Sequence, residues 1–178
     1  HVRVGTFDIS IEQPKGSVRS GVDANGKKWE TTMQNTYGYI RGTEGVDGDH
    51  IDVFLSDDID GWNGRRVFVV DQYNEDGSFD EHKVMLGFNE TDDAEAAYFA
   101  NYDSDWANNH KTVVTAVNLE DFEKWTDMLT PGQGTDFFRH NGAGEMLVFS
   151  AADFEDFLEP RPDLAPGMED ELERSEEH

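Results

Sequence analysis

The sequence of 178 residues has no cysteine, few basic residues and no long apolar run, and each shortage excludes a class of protein. Without cysteine there is no disulfide framework and no thiolate-bound zinc site. No apolar run approaches the roughly 18 residues that a membrane span needs. Lys and Arg number 14 against 39 Asp and Glu, and this formal net charge of -25 disfavours nucleic-acid backbones and anionic membranes as partners. Such a surface favours cations; salt adaptation and the acidic segment 168–178 are two further reasons for the charge.

The length suits one domain with a core of its own, and an aromatic content of 12% argues against general disorder. We assign 1–159 to that domain and 160–178, which is Pro-rich and then acidic, to a tail expected to be disordered. No signal peptide is visible, and a cysteine-free chain suits a reducing cytoplasm. The first residue is His1 rather than Met, which we interpret as a trimmed, processed or excised chain.

Strand patterns come first along the chain and helix patterns later. Residues 2–12 alternate as a strand does, and Asn25-Gly26 and Asp76-Gly77 are typical of hairpin turns. Further strands are predicted at 50–55, 65–73, 81–88, 112–117 and 146–150. Helices are predicted over 92–102 with Thr91 as cap, over 118–129 with Asn118 as cap, and over 150–159. This order predicts an α+β domain, a small barrel or curled sheet with helices outside.

Three carboxylates, Asp47, Asp49 and Asp52, crowd into six positions just before an apolar run. Convergent carboxylates need a cation, or one of them must take up a proton. Hard oxygen ligands suit Mg²⁺, Mn²⁺ or Ca²⁺. An EF-hand does not fit, because Ile51 and Asp52 occupy the loop positions that need a ligand and a glycine. A solvated acidic turn is the alternative to a metal site.

The stretch "NTYGYIRGTEGVDGDHIDVFL", residues 35–55, resembles the signature region of family I soluble inorganic pyrophosphatases. In that family a YGYI-type strand leads into an Asp-x-Asp-Pro-x-Asp motif. The Glu-x-Pro at Glu12 resembles the family's entry strand, and "NEDGSFDEHKVMLGF" resembles its next acidic hairpin. The resemblance runs from about residue 8 to about residue 106 and is closest to the pyrophosphatase-like domain of large multidomain phage proteins. It implies a five-stranded oligonucleotide-binding-type barrel with flanking helices.

The resemblance also implies a reaction and a set of site residues. Two metals, Mg²⁺ or Mn²⁺, activate a water that attacks the phosphorus of pyrophosphate in line. The implied metal ligands are Asp47, Asp52, Asp76, Glu81 and Glu12. Asp49 is the implied general base, Lys83 and Tyr37 are further catalytic residues, and Arg19, Lys28 and Tyr102 are implied substrate-binding residues.

Simpler roles compete with these assignments. Asp49 fits a third metal ligand, Asp76 fits turn chemistry, and Lys83 fits a surface salt bridge. Tyr37 and Tyr102 fit aromatics of the barrel. Asp71 interrupts an apolar strand, and we expect it to face the site as well.

Three residues depart from the family pattern. His50 replaces the proline of the motif, Gly21 falls where a glutamate is expected after Arg19, and Asp103 follows Tyr102 in place of lysine. The last two changes favour two alternatives to a pyrophosphatase. One is a catalytically degenerate cation-binding module of a larger phage protein. The other is a phosphohydrolase acting on a nucleotide or a related phosphoanhydride. The retained acids and Lys83 favour hydrolysis of pyrophosphate, in the host cytoplasm if the protein is phage-encoded, without nucleic-acid or membrane partners.

Overall fold

The structure is a computed structural model that describes residues 2–43, 50–128 and 136–137, and the backbone of 145–148. These residues contain ten strands, three α-helices and one turn of 3₁₀-helix, Ile59–Gly61. The strands are β1 (Val2–Val4), β2 (Phe7–Gln13), β3 (Val18–Val22), β4 (Lys28–Thr32), β5 (Tyr37–Ile40), β6 (Ile51–Leu55), β7 (Arg66–Tyr73), β8 (Phe79–Leu86), β9 (Thr112–Asn118) and β10 (Glu145–Val148). The helices are α1 (Thr91–Ala100), α2 (Ser104–Asn109) and α3 (Leu119–Met128).

Eight strands form one sheet in the order β1-β2-β5-β6-β8-β7-β9-β10, and β3 pairs with β4 in a separate hairpin. All neighbours run antiparallel except β6 and β8, which run parallel. Among the described strands β1 and β10 do not pair with each other, so the sheet is open. The predicted five-stranded barrel is therefore wrong in strand number and in closure. The sheet is wider because the apolar segment of β9 pairs with β7 along its whole length. The coarser prediction of a strand-rich domain with flanking helices is confirmed.

Both faces of the central sheet are buried, which explains the nearly continuous apolar runs of β7 and β8. One face carries Val69 and Val84 and packs with Phe122 and Trp125 of α3. The opposite face packs with α1 through Tyr98. Its sheet residues are Tyr37, Phe54, Phe68, Val70, Met85, Val114 and Ala116. Because side chains alternate along a strand, neighbouring residues of β8 serve different cores.

The helix ends agree with the sequence patterns in part. Asn118 caps α3 as predicted, since its Oδ1 accepts a hydrogen bond from the Asp121 amide at 2.8 Å. The Thr91 cap is wrong, because Thr91 is the first helical residue and Glu90, without a side-chain cap bond, precedes it. Helix α2 was not predicted; Asp103 caps it by accepting from the Asp105 amide at 2.9 Å. The predicted helix at 150–159 and the tail at 160–178 lie outside the described residues.

Asp71 lies on the face of β7 that packs against α3, so the expectation that it faces the candidate site is wrong. Its Oδ1 lies 2.8 Å from Nδ1 of His82 and accepts a hydrogen bond from the Phe137 amide, also at 2.8 Å. Strand register places Asp71 opposite His82, whereas Val70 is opposite Lys83. Alternation along the strands therefore points Asp71 and Lys83 to opposite faces.

Gly38 on β5 lies where the backbone of β2 approaches most closely. A Cβ atom there would lie 2.0 Å from the carbonyl oxygen of Ser10, an atom that the sheet holds in place. We expect Gly38→Ala to lower the free energy of unfolding by at least about 2 kcal/mol, measured by urea denaturation. Gly16→Ala is the control, because no heavy atom lies within 4 Å of its Cβ position and only left-handed strain opposes it. Equal losses in both variants would contradict the steric reason.

Candidate metal and phosphate site

Lys83 is a buried ammonium with three polar partners, and its side chain is only 3% exposed. Nζ donates to Oδ2 of Asp52 and to the Tyr37 hydroxyl, each at 2.7 Å, and lies 3.2 Å from Oε1 of Glu81. Asp52 and Tyr37 come from β6 and β5, and the parallel register sets Asp52 beside Lys83. Strand pairing thus assembles one cluster, the Lys83 cluster, from Tyr37, Asp52, Glu81 and Lys83.

Lys83 is charged at neutral pH and Tyr37 is neutral. Burial favours the neutral amine, but Tyr102, Tyr37 and the two carboxylates outweigh it and hold the pKa of Lys83 well above 10.5. Burial, with Asp52, raises the pKa of Tyr37 above its ordinary value of 10.0, against the pull of Lys83. The Tyr37 oxygen accepts from Lys83 and keeps its own proton, which it can donate to a ligand oxygen.

The neighbours of Glu81 act on its pKa in opposite directions. Burial raises its pKa above the ordinary value of 4.5, Asp52 and Asp80 raise it further, and Lys83 lowers it. The net rise means that the ionised carboxylate is held at a cost in the absence of a further cation. Asp52 and Glu81 are 26% and 32% exposed, so both retain a route to solvent and to a ligand.

Tyr102 lies beside the cluster and is oriented by Gln72. Nε2 of Gln72 donates to the hydroxyls of Tyr98 at 2.6 Å and Tyr102 at 2.9 Å. Burial raises the pKa of Tyr102 and outweighs Lys83 and Arg19, which both lower it, so its hydroxyl stays protonated near two cations. Sequence reasoning missed Gln72. The feature that could have identified it is a polar residue on the same face of β7 as Phe68 and Val70, paired directly with Glu81 of β8.

Arg19 of β3 also lies close to Tyr37. Its Cζ atom lies 4.7 Å from the centroid of the Tyr37 ring and 5.3 Å from that of Trp29. Within the described residues no carboxylate oxygen lies within 4.0 Å of its guanidinium. Arg19 and Lys83 therefore place two positive charges near one tyrosine, an arrangement suited to a phosphate group.

Lys28, Asp76 and Glu12 are not tied to the cluster by any hydrogen bond or ion pair of the described residues. Lys28 lies opposite Val22, whereas Arg19 lies opposite Thr31, so the two cations occupy different faces of the β3–β4 hairpin. Asp76 is exposed in the β7–β8 turn and accepts from the hydroxyl and the amide of Ser78, which lower its pKa. Glu12 is exposed where the register of β2 shifts. Their roles stay predictions.

Asp47 and Asp49 lie outside the described residues, but the flanks of their segment are joined. Nδ1 of His50 lies 3.0 Å from the Thr43 carbonyl oxygen, and the Thr43 hydroxyl accepts from the Ile51 amide at 3.2 Å. The His50 ring also stacks on Tyr39 with centroids 4.2 Å apart. His50, in place of the expected proline, thus helps to fix where the chain re-enters the sheet just before Asp52.

The donor chemistry of the cluster suits a hard divalent cation. Asp52 and Glu81 offer carboxylate oxygens on either side of one ammonium, and no thiolate or imidazole belongs to the cluster. No group of three or more acidic, histidine or cysteine side chains that could hold a metal is found in the described part of the chain. Further ligands for a cation would have to come from residues outside the cluster. Asp47 and Asp49, which precede Asp52 closely in the sequence, are candidates for this role.

A strand-rich domain that gathers two carboxylates, two tyrosines and two cations on one side is of the type found in hydrolases of phosphate compounds. The profile of one family, described as inorganic pyrophosphatase, matches residues 1–127, so the chain belongs to the inorganic pyrophosphatase family.

Two solved structures are similar to this chain. One is an inorganic pyrophosphatase from Coxiella burnetii, with 16% identity and a TM-score of 0.39 over 67% of this chain and 89% of that one. The other is an inorganic phosphatase from Anaplasma phagocytophilum, with 17% identity and a TM-score of 0.26 over 81% of each chain. Neither likeness is strong enough to place individual residues. No protein with a curated description matches this sequence. In the described residues, no helix is both long and apolar enough for a membrane crossing.

The raised pKa of Glu81 predicts that its charge destabilises the metal-free protein. A folded pKa above 4.5 means that stability falls as pH rises through that value and levels off above the folded pKa. In chelator, Glu81→Gln should therefore melt above wild type at pH 7, and the difference should vanish below pH 4.5. Glu75→Gln, at an exposed position with the same charge change, should leave the melting temperature nearly unchanged. A less stable Glu81→Gln at pH 7 would mean that pairing with Lys83 outweighs burial.

Proposed function

We propose that the protein hydrolyses inorganic pyrophosphate to phosphate with the help of a divalent cation. The observation that supports this most directly is the Lys83 cluster, which joins two carboxylates, a neutral hydroxyl and a charged ammonium. Membership of the inorganic pyrophosphatase family gives the cluster its reaction class. Pyrophosphate is the proposed partner. A place in a multidomain phage protein and in the host cytoplasm stays a prediction.

The cationic and hydroxyl groups would bind and orient the substrate. Lys83 and Arg19 supply positive charge near Tyr37, and Tyr37 and Tyr102 supply neutral hydroxyl donors. A donor held at the place where phosphate oxygens gain charge stabilises the transition state more than the ground state. Lys28 is a further proposed substrate contact.

The carboxylates would hold the metal. Asp52 and Glu81 are the proposed ligands that belong to the Lys83 cluster, and Asp47, Asp76 and Glu12 are proposed to complete the set. When bound, Mg²⁺ or Mn²⁺ supplies Lewis-acid activation of water and offsets the charge of pyrophosphate, which a protein of net charge -25 would otherwise repel. Asp49 is the proposed general base, which would accept a proton from the attacking water.

The departures at Gly21 and Asp103 have structural roles that support one rival reading. Asp103 caps α2, and Gly21 leaves room for the ring of Trp29. Asp103 therefore does not supply the phosphate-binding cation that the family pattern has at its position, and Gly21 does not supply the carboxylate. The rival is therefore a folded cation-binding module without turnover, and a direct assay of phosphate release separates it from the proposed enzyme.

We expect Asp52→Asn to reduce magnesium-dependent release of phosphate from pyrophosphate at least about a hundredfold. The amide keeps the shape of the side chain but loses the charge that holds a hard cation. It also weakens the pairing of a buried ammonium, so the free energy of unfolding in chelator should fall by about 1–3 kcal/mol. Phosphate release and urea denaturation measure the two effects.

Asp60→Asn is the matched control, because it removes the same charge from an exposed position outside the cluster. It should retain wild-type activity. Full turnover in Asp52→Asn would show that another carboxylate holds the metal. Wild-type protein with no activity above background in Mg²⁺ or Mn²⁺ would favour the module without turnover.

Millimolar Mg²⁺ or Mn²⁺ should raise the melting temperature of the wild-type protein. A cation that binds only the folded state stabilises it by about 2.7 kcal/mol at a hundred times its Kd. NaCl at equal ionic strength is the control, because general screening also relieves repulsion in an acidic protein. Thermal melts of wild type and Asp52→Asn should differ in their response to Mg²⁺. An equal rise with NaCl, or no reduction in the variant, would contradict a specific site.

A further inference from the structure

We propose that Trp29 is a positioning residue that holds the guanidinium of Arg19 beside Tyr37 for contact with a phosphate group. This inference rests on the proposed function, since it assigns Arg19 to the same substrate. It goes further by naming a residue outside the motifs and a reason for the glycine at position 21.

Trp29 lies across the β3–β4 hairpin from Gly21, and the two residues share a face with Arg19. A Cβ atom on Gly21 would lie 2.6 Å from Cζ2 and 2.8 Å from Cε2 of the Trp29 ring. The ring therefore rests directly on the glycine backbone. Any larger residue at position 21 must push the ring away from this place.

The ring in this position flanks Arg19. The guanidinium lies 5.3 Å from the Trp29 ring centroid and 4.7 Å from that of Tyr37, both within the range of cation–π attraction. The neutral Tyr37 cannot form an ion pair with Arg19, and no carboxylate oxygen of the described residues lies within 4.0 Å of the guanidinium. The two aromatic rings are therefore the main restraints on the Arg19 side chain.

Such restraint has a direct effect on affinity. An arginine side chain loses about 2 kcal/mol of rotamer entropy when it is fixed, and fixing it before the substrate arrives removes part of this cost from binding. The aromatic faces also hold the guanidinium where no carboxylate oxygen of the described residues lies within 4.0 Å of it. In a chain with 14 basic and 39 acidic residues, this keeps one cation available to an anion.

A double-mutant cycle tests the proposal, with wild type, Trp29→Leu, Arg19→Gln and the double variant. The readouts are KM and kcat for magnesium pyrophosphate and, by calorimetry, the Kd of imidodiphosphate, which resists hydrolysis. Trp29→Leu should raise KM and Kd about tenfold with kcat little changed. Added to Arg19→Gln, it should have no further effect, because it acts through that arginine. Trp29→Phe should restore most of the affinity, and Gly21→Ala should weaken binding as Trp29→Leu does.

Val22→Ala is the control, since Val22 is 63% exposed on the opposite face of the same hairpin and should leave KM and Kd unchanged. Circular dichroism confirms that each variant is folded.

Additive effects of Trp29→Leu and Arg19→Gln would overturn the proposal, even if the wild-type protein hydrolyses pyrophosphate. A loss confined to nucleoside triphosphates and absent for pyrophosphate would also overturn it, in favour of base stacking. Coupled effects on imidodiphosphate binding without hydrolysis would support the role of Trp29 and contradict the proposed function. A wild type that neither binds nor hydrolyses would contradict both.

Discussion

The buried ammonium of Lys83 is the constraint on which the centre of the sheet depends. A buried charge is stable only when it is paired, and a change that leaves it with no charged partner typically costs about 3–5 kcal/mol. Its hydrogen-bonding partners stand on β5 and β6, so three strands must keep one register to satisfy one charge. A slip by one residue would turn Asp52 to the opposite face and leave the ammonium without it. The same requirement that holds these strands together also fixes the chemical groups of the candidate site.

The strongly acidic composition of the chain is not repeated in the described part of this site. Most acidic side chains of the described residues are exposed, and water and salt reduce the repulsion between them. In the cluster, by contrast, Glu81 and Asp52 share one ammonium, and Arg19 lies close by without a carboxylate partner among the described residues. The two carboxylates and two cations of the described part of the site thus balance in charge before any metal ion binds. Added metal charge would tip the balance toward an anionic ligand.

The sequence allows part of the site to be predicted, and physical reasons set the limit. Lys83 and Glu81 are two residues apart on one strand, so alternation predicts that they share a face. The family resemblance predicts that Tyr37 and Asp52 belong to the same site. Pairing between strands far apart in the chain is not visible in the sequence. For this reason the sequence alone predicts that Asp52 is repelled by neighbouring acids, whereas the structure places it against the ammonium of Lys83. The role of Gln72 is not predictable from the sequence, because it consists of hydrogen bonds to Tyr98 and Tyr102, which lie much later in the chain. The open sheet was missed because the resemblance ends before β9.

The contacts of Phe137 set the boundary of the folding unit beyond the part that the family shares. Its ring is buried against Trp125 of α3, and its amide donates to the buried carboxylate of Asp71. Beside it, the Tyr73 hydroxyl donates to Asp136 at 2.6 Å. The family match ends at residue 127, so it includes Asp71, Tyr73 and Trp125 but neither Asp136 nor Phe137. A fragment cut at that point would uncover an indole and remove one hydrogen-bond donor from a carboxylate that has no access to water. The segment at 136–137 is therefore part of the core of this domain, and a minimal version of the protein has to include it.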